Sequence, residues 1–312
     1  MNSPESGFLV IDKPEGVTSH DVVIFVRRLV KLRRVGHLGT LDPMATGVLP
    51  LALGKATRLI QFLIEGTKIY HGTIRLGHST STYDREGRPT SNFTIPCFSS
   101  AQLEKISEEL LGEHWQVPPP FSAKKVRGIR AYQLARQGKS PELEAQKVQI
   151  RKLVLQKLSA EVIHLEIHCS AGTYVRSIAH EVGKRLGCGA HLASLRRLAS
   201  GEFGLERAVE METLQSSAWD VLRERLIPVT QVLTTLPELT VRAETARAFT
   251  HGRDLEVEST VLDGGKVGLI RVLTEERELL GLAEVQTANS RPAPQGAVHL
   301  RLHPRVVLQG QG

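Results

Sequence analysis

The chain has 312 residues, 41% of them hydrophobic, with 40 Lys and Arg against 33 Asp and Glu, giving a formal charge of +7. This length and mix of signs exclude a fibrous or disordered class and leave room for two domains with buried cores, while the cationic excess favours a polyanionic partner. Cys97, Cys169 and Cys188 are far apart with no C-x-x-C spacing, so neither a disulfide framework nor a structural zinc site is indicated and a reducing cytoplasm is favoured.

No basic residue precedes Lys13, and no apolar run is long enough for a signal peptide or a membrane span, so neither export nor membrane insertion is expected. GFLVID reads as a short strand, followed by a Lys-Pro-Glu-Gly turn. Thr18 to Asp21 then cap a helix whose apolar face is Val22, Val23, Phe25, Val26, Leu29 and Val30. Its other side is basic: Arg27, Arg28 and Lys31, with Arg33 and Arg34 just beyond.

The stretch GHLGTLDPMATG follows. Asp42 before Pro43 has the pattern of a helix N-cap with proline at the first helical position, which predicts a helix running on from there. A basic-ended helix is expected near residues 55–64. KIYHGTIRL alternates, with Tyr70, Ile74 and Leu76 on the apolar side of a strand. A helix is expected near residues 100–111, and then three prolines in QVPPPFSAKK force an extended loop.

Residues 124–152 carry nine Lys and Arg against two Glu and contain one short helical signal, RAYQLARQG, so this run reads as a basic arm. EVIHLEIHC alternates as a half-buried strand, with His164 and His168 on its solvated face rather than on a metal. SAGTYVRSIAHEVGKRLG predicts a helix from about Thr173 to a stop at Gly187. Beyond about Leu226 short alternating segments and glycine turns predict a separate small, mostly β domain. P-loop, dinucleotide, H-E-x-x-H and G-x-S-x-G signatures are absent, which removes the strongest cues for nucleotide, zinc and serine chemistry.

Five stretches, GHLGTLDPMATGVLPLALGKATR, KIYHG, VPPPFSAKKVRGIRAYQLAR, CSAGTYVRSIAHEVG and LGCGAHLASLRRL, resemble in order and spacing the TruB family of tRNA pseudouridine synthases. The resemblance spans roughly residues 7–215. It implies an α+β fold: a mixed, largely antiparallel sheet with flanking helices over residues 1–227, with a basic RNA-gripping insertion at about 118–148. A small, mostly β, PUA-like domain would occupy 228–312.

The resemblance also implies the activity, conversion of uridine to pseudouridine at position 55 of the tRNA T-loop without any cofactor or metal. Asp42 matches the catalytic aspartate, Tyr70 the tyrosine that stacks on the target base, and Tyr174 and Arg176 the pocket tyrosine and arginine. His37 and Leu195 match positions that contact the flipped nucleotide, and Lys13 the lysine of the family's Lys-Pro turn. Leu38 and Ser81 depart from the family pattern, whereas Thr80, Thr82, Asp84 and Gly87 fit its T-x-T-x-D-x-x-G run. The implied partner is the T-arm of tRNA, bound by a cytoplasmic monomer with no guide RNA and no membrane. An arginine such as Arg176 beside Asp42 is expected to lower the pKa of the carboxyl.

Overall fold

The computed structural model describes residues 6–122, 124–126, 129–131, 143–259, 268–287 and 298–309. In chain order the first unit comprises β1 (Gly7–Lys13), α1 (Ser19–Leu29), β2 (Val35–His37), β3 (Thr46–Leu53), α2 (Ile60–Leu63), β4 (Lys68–Leu76), α3 (Ser100–Leu110) and β5 (Gly112–Gln116). It continues with β6 (Lys125–Val126), β7 (Ile129–Arg130), β8 (Gln146–Lys157), β9 (Val162–Cys169), α4 (Val175–Arg185) and β10 (Ala190–Ser200). The pieces β11 (Phe203–Gly204), β12 (Val209–Glu210), α5 (Met211–Ser216), α6 (Trp219–Leu222) and β13 (Ile227–Pro228) close it.

Eleven of these strands form one sheet in the order β12-β1-β3-β10-β4-β9-β8-β5, with β2 joined to β3, β11 to β10 and β13 to β1, while β6 and β7 pair with each other. All neighbours are antiparallel except β1–β12 and β3–β10. The expected mixed, largely antiparallel sheet is therefore present.

Local chemistry sets the helix starts. Thr18 caps α1 by accepting from the Asp21 N–H at 3.1 Å, and Asp21 Oδ2 accepts from the Thr18 N–H at 3.1 Å, a reciprocal box whose loss typically costs about 1 kcal/mol. Ser99 and Gln102 repeat it at α3. Helix α4 begins at Val175 after Tyr174 and ends before Gly187, whose φ of +73° takes the left-handed stop position.

The predicted helix after Asp42 does not form. Asp42 lies in a loop closed by the Ala45 N–H donating to the Asp42 carbonyl at 3.0 Å, and the chain then enters β3. From Gly47 to Leu53 every residue of β3 is buried, so the continuous apolar run is satisfied as an interior strand covered on both faces. The segment near 55–64 is a 3₁₀ stretch, Gly54–Leu59, running into the single turn of α2.

The basic arm is shorter than its charge pattern suggests. From Gln146 the chain is the regular strand β8, with Val148, Ile150, Leu153 and Leu155 buried. A register shift between Ile150 and Lys152 breaks the alternation and hides the strand in the sequence. Most of RAYQLARQG lies outside the described residues.

The second unit contains β14 (Glu238–Val241), α7 (Ala243–Thr250), β15 (Leu255–Ser259), β16 (Leu269–Thr274), β17 (Leu279–Thr287) and β18 (Val298–Val307). Its five strands form a separate sheet, β14-β16-β17-β18-β15, the small β-rich unit expected at the carboxyl end. Pro228, taken from the sequence as the first residue of that unit, still pairs with Gly7 in the large sheet.

Two cores result. Leu9, Ile11, Leu49, Leu51 and Leu53 point into the core shared with α1, α3 and α4, while Phe8, Val10, Val48 and Ala52 pack with Leu273, Leu279, Leu282 and Val306 of the second unit. The strands flanking the Asp42 loop are thus covered on one side by helices and on the other by the small sheet.

Candidate active site

The loop between β2 and β3 is pinned from several sides. Leu38, Leu41, Met44 and Ala45 are buried and anchor it, while Asp42 keeps about a third of its side-chain exposure. Ser19, at the start of α1, accepts from the Leu41 N–H at 2.8 Å and donates to the Leu41 carbonyl at 3.1 Å. The buried Arg197 of β10 donates to the Val48 carbonyl at 2.7 Å and the Gly39 carbonyl at 3.0 Å.

Lys13 is fully buried and donates to the carbonyls of Pro14 (2.8 Å), Val17 (2.7 Å) and Pro43 (3.2 Å). Burial lowers its pKa to about 8, against the pull of Asp42. With its ammonium so engaged, Lys13 ties the Lys-Pro turn to the Asp42 loop and offers no open face to a substrate.

Arg176, in the first turn of α4, faces Asp42. Its Nη2 donates to Asp42 Oδ1 at 3.1 Å, and its Nε lies 2.8 Å from Oδ2 as a charge contact without hydrogen-bond alignment. Nη2 also donates to the Phe121 carbonyl at 3.2 Å, and Nη1 to the Thr82 carbonyl at 3.2 Å and Asp84 Oδ2 at 3.3 Å. One buried guanidinium therefore serves two carboxylates.

Arg176 pulls the Asp42 pKa down as expected, but the net shift goes the other way. Burial pushes its carboxyl above the usual range, Asp84 adds to the rise, and the pull of Arg176 and Lys13 does not offset them. A carboxylate in this setting is poorly solvated and held in place, the state in which it reacts most readily with an electrophile or a proton once ionised.

Tyr70 lies on β4, directly opposite Arg197 of β10 and Ile167 of β9, and is 7% exposed. Burial raises its phenol pKa, opposed by Arg197. Asp42 acts electrostatically on Tyr70 and on Tyr174, so the three share one neighbourhood. Tyr174 is set by Gln116, whose side chain accepts from the Tyr174 N–H at 2.7 Å and donates to its carbonyl at 3.2 Å; burial raises its phenol pKa, with Arg176 pulling the other way.

Two candidates stand apart from the carboxylate. His37 Nδ1 accepts from the Gly39 N–H at 3.3 Å, and burial beside Arg197 keeps its ring neutral more readily than usual. Leu195, opposite Gly72 on β10, is buried in the main core. Among the described residues no bond joins either to Asp42.

Sequence reasoning did not assign roles to Asp84, Gln116 or Arg197. Asp84 had a signal, its fit to the T-x-T-x-D-x-x-G run, and Arg197 lay within the matching stretch LGCGAHLASLRRL; Gln116 acts through a contact made across the fold and had none. Near the loop, Arg27, Arg28, Lys31, Arg33 and Arg34 are all exposed, and among the described residues none of them forms an ion pair. No group of three or more His, Cys, Asp or Glu among the described residues converges on a metal position, and no described helix is long and apolar enough to cross a membrane.

Residues 27–175 match the TruB family pseudouridylate synthase (N terminal domain) profile, 176–234 the tRNA pseudouridylate synthase B C-terminal domain, and 237–308 the pseudouridine synthase II TruB C-terminal profile. The chain is 48% identical over 284 residues to the tRNA pseudouridine synthase B of Solibacter usitatus, covering 91% of this chain and 97% of that protein. It is 39% identical over 279 residues to that of Burkholderia pseudomallei, covering 89% and 92%. Among solved structures it is similar to a chain of a Cbf5-Nop10-Gar1 complex, with a TM-score of 0.72 and 26% identity over 97% of this chain and 85% of that one.

Proposed function

Because the chain belongs to the TruB family of pseudouridylate synthases, we propose that it isomerises uridine to pseudouridine at position 55 in the T-loop of tRNA, with Asp42 as the reacting carboxylate. The observation that carries this reading is the half-buried Asp42 side chain held by the Arg176 fork.

The reaction breaks the N1–C1′ bond, turns the uracil and joins C5 to C1′. C5 loses its proton and N1 gains one, so nothing is oxidised and no cofactor is consumed. A target base stacked in a loop must be flipped out, and Tyr70 offers the aromatic face that replaces lost stacking, worth about 1–3 kcal/mol. Asp42 then has two chemically sound routes: attack on C1′, or removal of a sugar proton to give a glycal. In both, Arg176 aligns the carboxylate and holds it ionised when the substrate expels water. Tyr174 walls the pocket and can relay a proton, with Gln116 fixing its backbone.

His37 and Leu195 belong to the surface that meets the flipped nucleotide, and Lys13 supports it from beneath by holding the Pro43 carbonyl. The exposed arginines around α1, the insertion near 118–148 and the PUA-like second unit together supply the phosphate contacts of a free tRNA, so the enzyme works as a cytoplasmic monomer without guide RNA. We place the division between the units after Pro228 and before Glu238.

The test is tritium release from unmodified tRNA labelled at [5-³H]uridine, with carbodiimide labelling to separate pseudouridine from its isomer. Wild type releases tritium and forms pseudouridine; Asp42→Asn binds the RNA and releases none. Free uracil as the product, or release by the Asn variant at the wild-type rate, sinks the reading.

A further inference from the structure

Tyr83 has a backbone φ of +63°, a left-handed conformation that a residue carrying a ring adopts only when its surroundings enforce it. Its two neighbours explain the turn. The Thr82 carbonyl and the Asp84 carboxylate both reach Nη1 of Arg176, at 3.2 and 3.3 Å. The left-handed residue thus stands between the two acceptors, a backbone carbonyl and a side-chain carboxylate, that meet at one nitrogen.

Bonds within the loop fold that reversal, Thr80 Oγ1 donating to the Asp84 carbonyl at 2.6 Å and the Glu86 N–H to Asp84 Oδ1 at 3.0 Å, and a ring contact sets it against the helix. Tyr83 lies flat on His180, with centroids 3.9 Å apart and an interplanar angle of 9°. His180 is four residues after Arg176, one turn along the same face of α4. The helix therefore meets the loop at two points, a guanidinium that takes its polar groups and an imidazole that takes its ring. Backbone bonds from the Leu192 N–H to the Tyr83 carbonyl (3.0 Å) and from the Arg85 N–H to the Leu192 carbonyl (3.0 Å) tie the loop to β10, but they leave its distance from α4 unset. His180 Nδ1 is buried with no hydrogen-bond partner, so stacking accounts for the ring's placement where polar bonding does not.

We propose that Tyr83 and His180 are positioning residues for the reaction: their stack holds the loop of residues 80–87 against α4, so that Thr82 and Asp84 occupy Nη1 of Arg176 and leave Nη2 and Nε aimed at Asp42. This rests on the reading of Asp42 as the reacting carboxylate. Neither ring touches the reacting atoms; both act through Arg176.

The experiment is steady-state tritium release from [5-³H]uridine tRNA by wild type, Tyr83→Phe, Tyr83→Leu, His180→Ala and the Leu/Ala double variant. Leu at residue 83 carries the same left-handed backbone cost as Tyr, so the comparison isolates the ring. Tyr83→Phe keeps wild-type kcat. Tyr83→Leu and His180→Ala each lose about 10- to 100-fold in kcat with KM unchanged, the scale expected when a reacting group is misplaced by a fraction of an ångström. The double variant is no slower than the slower single, because both remove one contact. The acid limb of kcat against pH moves upward in both singles, since a loosened Arg176 leaves Asp42, which also feels Asp84 and Lys13, harder to ionise.

Unchanged kcat in the singles, a rise in KM alone, or losses that multiply in the double variant overturn the proposal. If Tyr83→Leu fails to fold, His180→Ala decides, since it trims a half-buried helix position to the best helix former. A wild type that releases no tritium removes the functional reading itself, whereas an active wild type with unaffected variants removes only this device.

Discussion

Replacing Gly47 by alanine tests how the Asp42 loop is joined to the sheet. Gly47 ends the glycine-rich stretch, has φ +99°, and sits where β3 runs parallel to β10 opposite Arg197. A Cβ there would lie 2.2 Å from the Arg197 carbonyl oxygen and 2.9 Å from its nitrogen, both backbone atoms of a central strand. The left-handed backbone costs an L-residue about 1–2 kcal/mol, and forcing two core strands apart costs about 1–3 kcal/mol more. The sum, about 2–5 kcal/mol, is a large part of the 5–15 kcal/mol by which folded proteins are typically stable, taken as about that range. Gly16→Ala is the control: φ is +83° but nothing lies within 4 Å of its Cβ, so only the backbone cost applies. Urea unfolding followed by tryptophan fluorescence reads the first unit selectively, because the two tryptophans are Trp115 and Trp219 and the latter packs on the main core. Equal midpoints for the two variants would refute the argument, since close strand approach would then contribute nothing.

Two further outcomes follow from the site's electrostatics. Burial raises the Asp42 pKa, so over the window from the ordinary carboxylate value up to the raised one the folded chain keeps a proton that the unfolded chain has released, and stability falls as pH rises through it. Asp42→Asn removes that penalty, so the inactive variant should melt above wild type near neutral pH and by a smaller margin in acid; a lower melting temperature at neutral pH contradicts this. Arg28→Glu combined with Arg33→Glu should weaken tRNA binding and flatten its salt dependence by about 0.7–0.9 in log–log slope per lost phosphate contact; filter binding across a potassium chloride series that shows an unchanged slope removes these arginines from the RNA surface.

Elements whose pattern is local were legible in the sequence. The reciprocal cap of Thr18 and Asp21 and the alternation of β4 and β9 each involve neighbours a few residues apart, and each stands in the fold as read. The Asp42 cap failed because a continuous apolar run fits a buried strand as well as a helix, and Pro43 tipped the reading toward the helix. Strand β8 escaped because its register shift after Ile150 breaks the period on which recognition depends. The core of the site was legible only through resemblance: Asp42 and Arg176 are 134 residues apart, and Gln116 and Tyr174 are 58 apart. No periodicity encodes such meetings. Nor does it encode the balance by which burial outweighs Arg176 at Asp42, which depends on how much of the fold closes over the carboxyl.

The packing of Phe8, Val10, Val48 and Ala52 against Leu273, Leu279, Leu282 and Val306 has a consequence for how the protein comes into being. Synthesis runs from the amino terminus, so β1 and β3 leave the ribosome long before the residues that cover their outer face. Until β18 is made, the outer face of β1 and β3 has the cover of Ala56, Leu59, Leu63, Phe203, Ile227 and Val232 but lacks that of the small sheet. A message cut short, or a chain clipped between the two units, therefore leaves Phe8, Val10, Val48 and Ala52 without part of their apolar cover, a patch behind the Asp42 loop that chaperones and proteases can recognise.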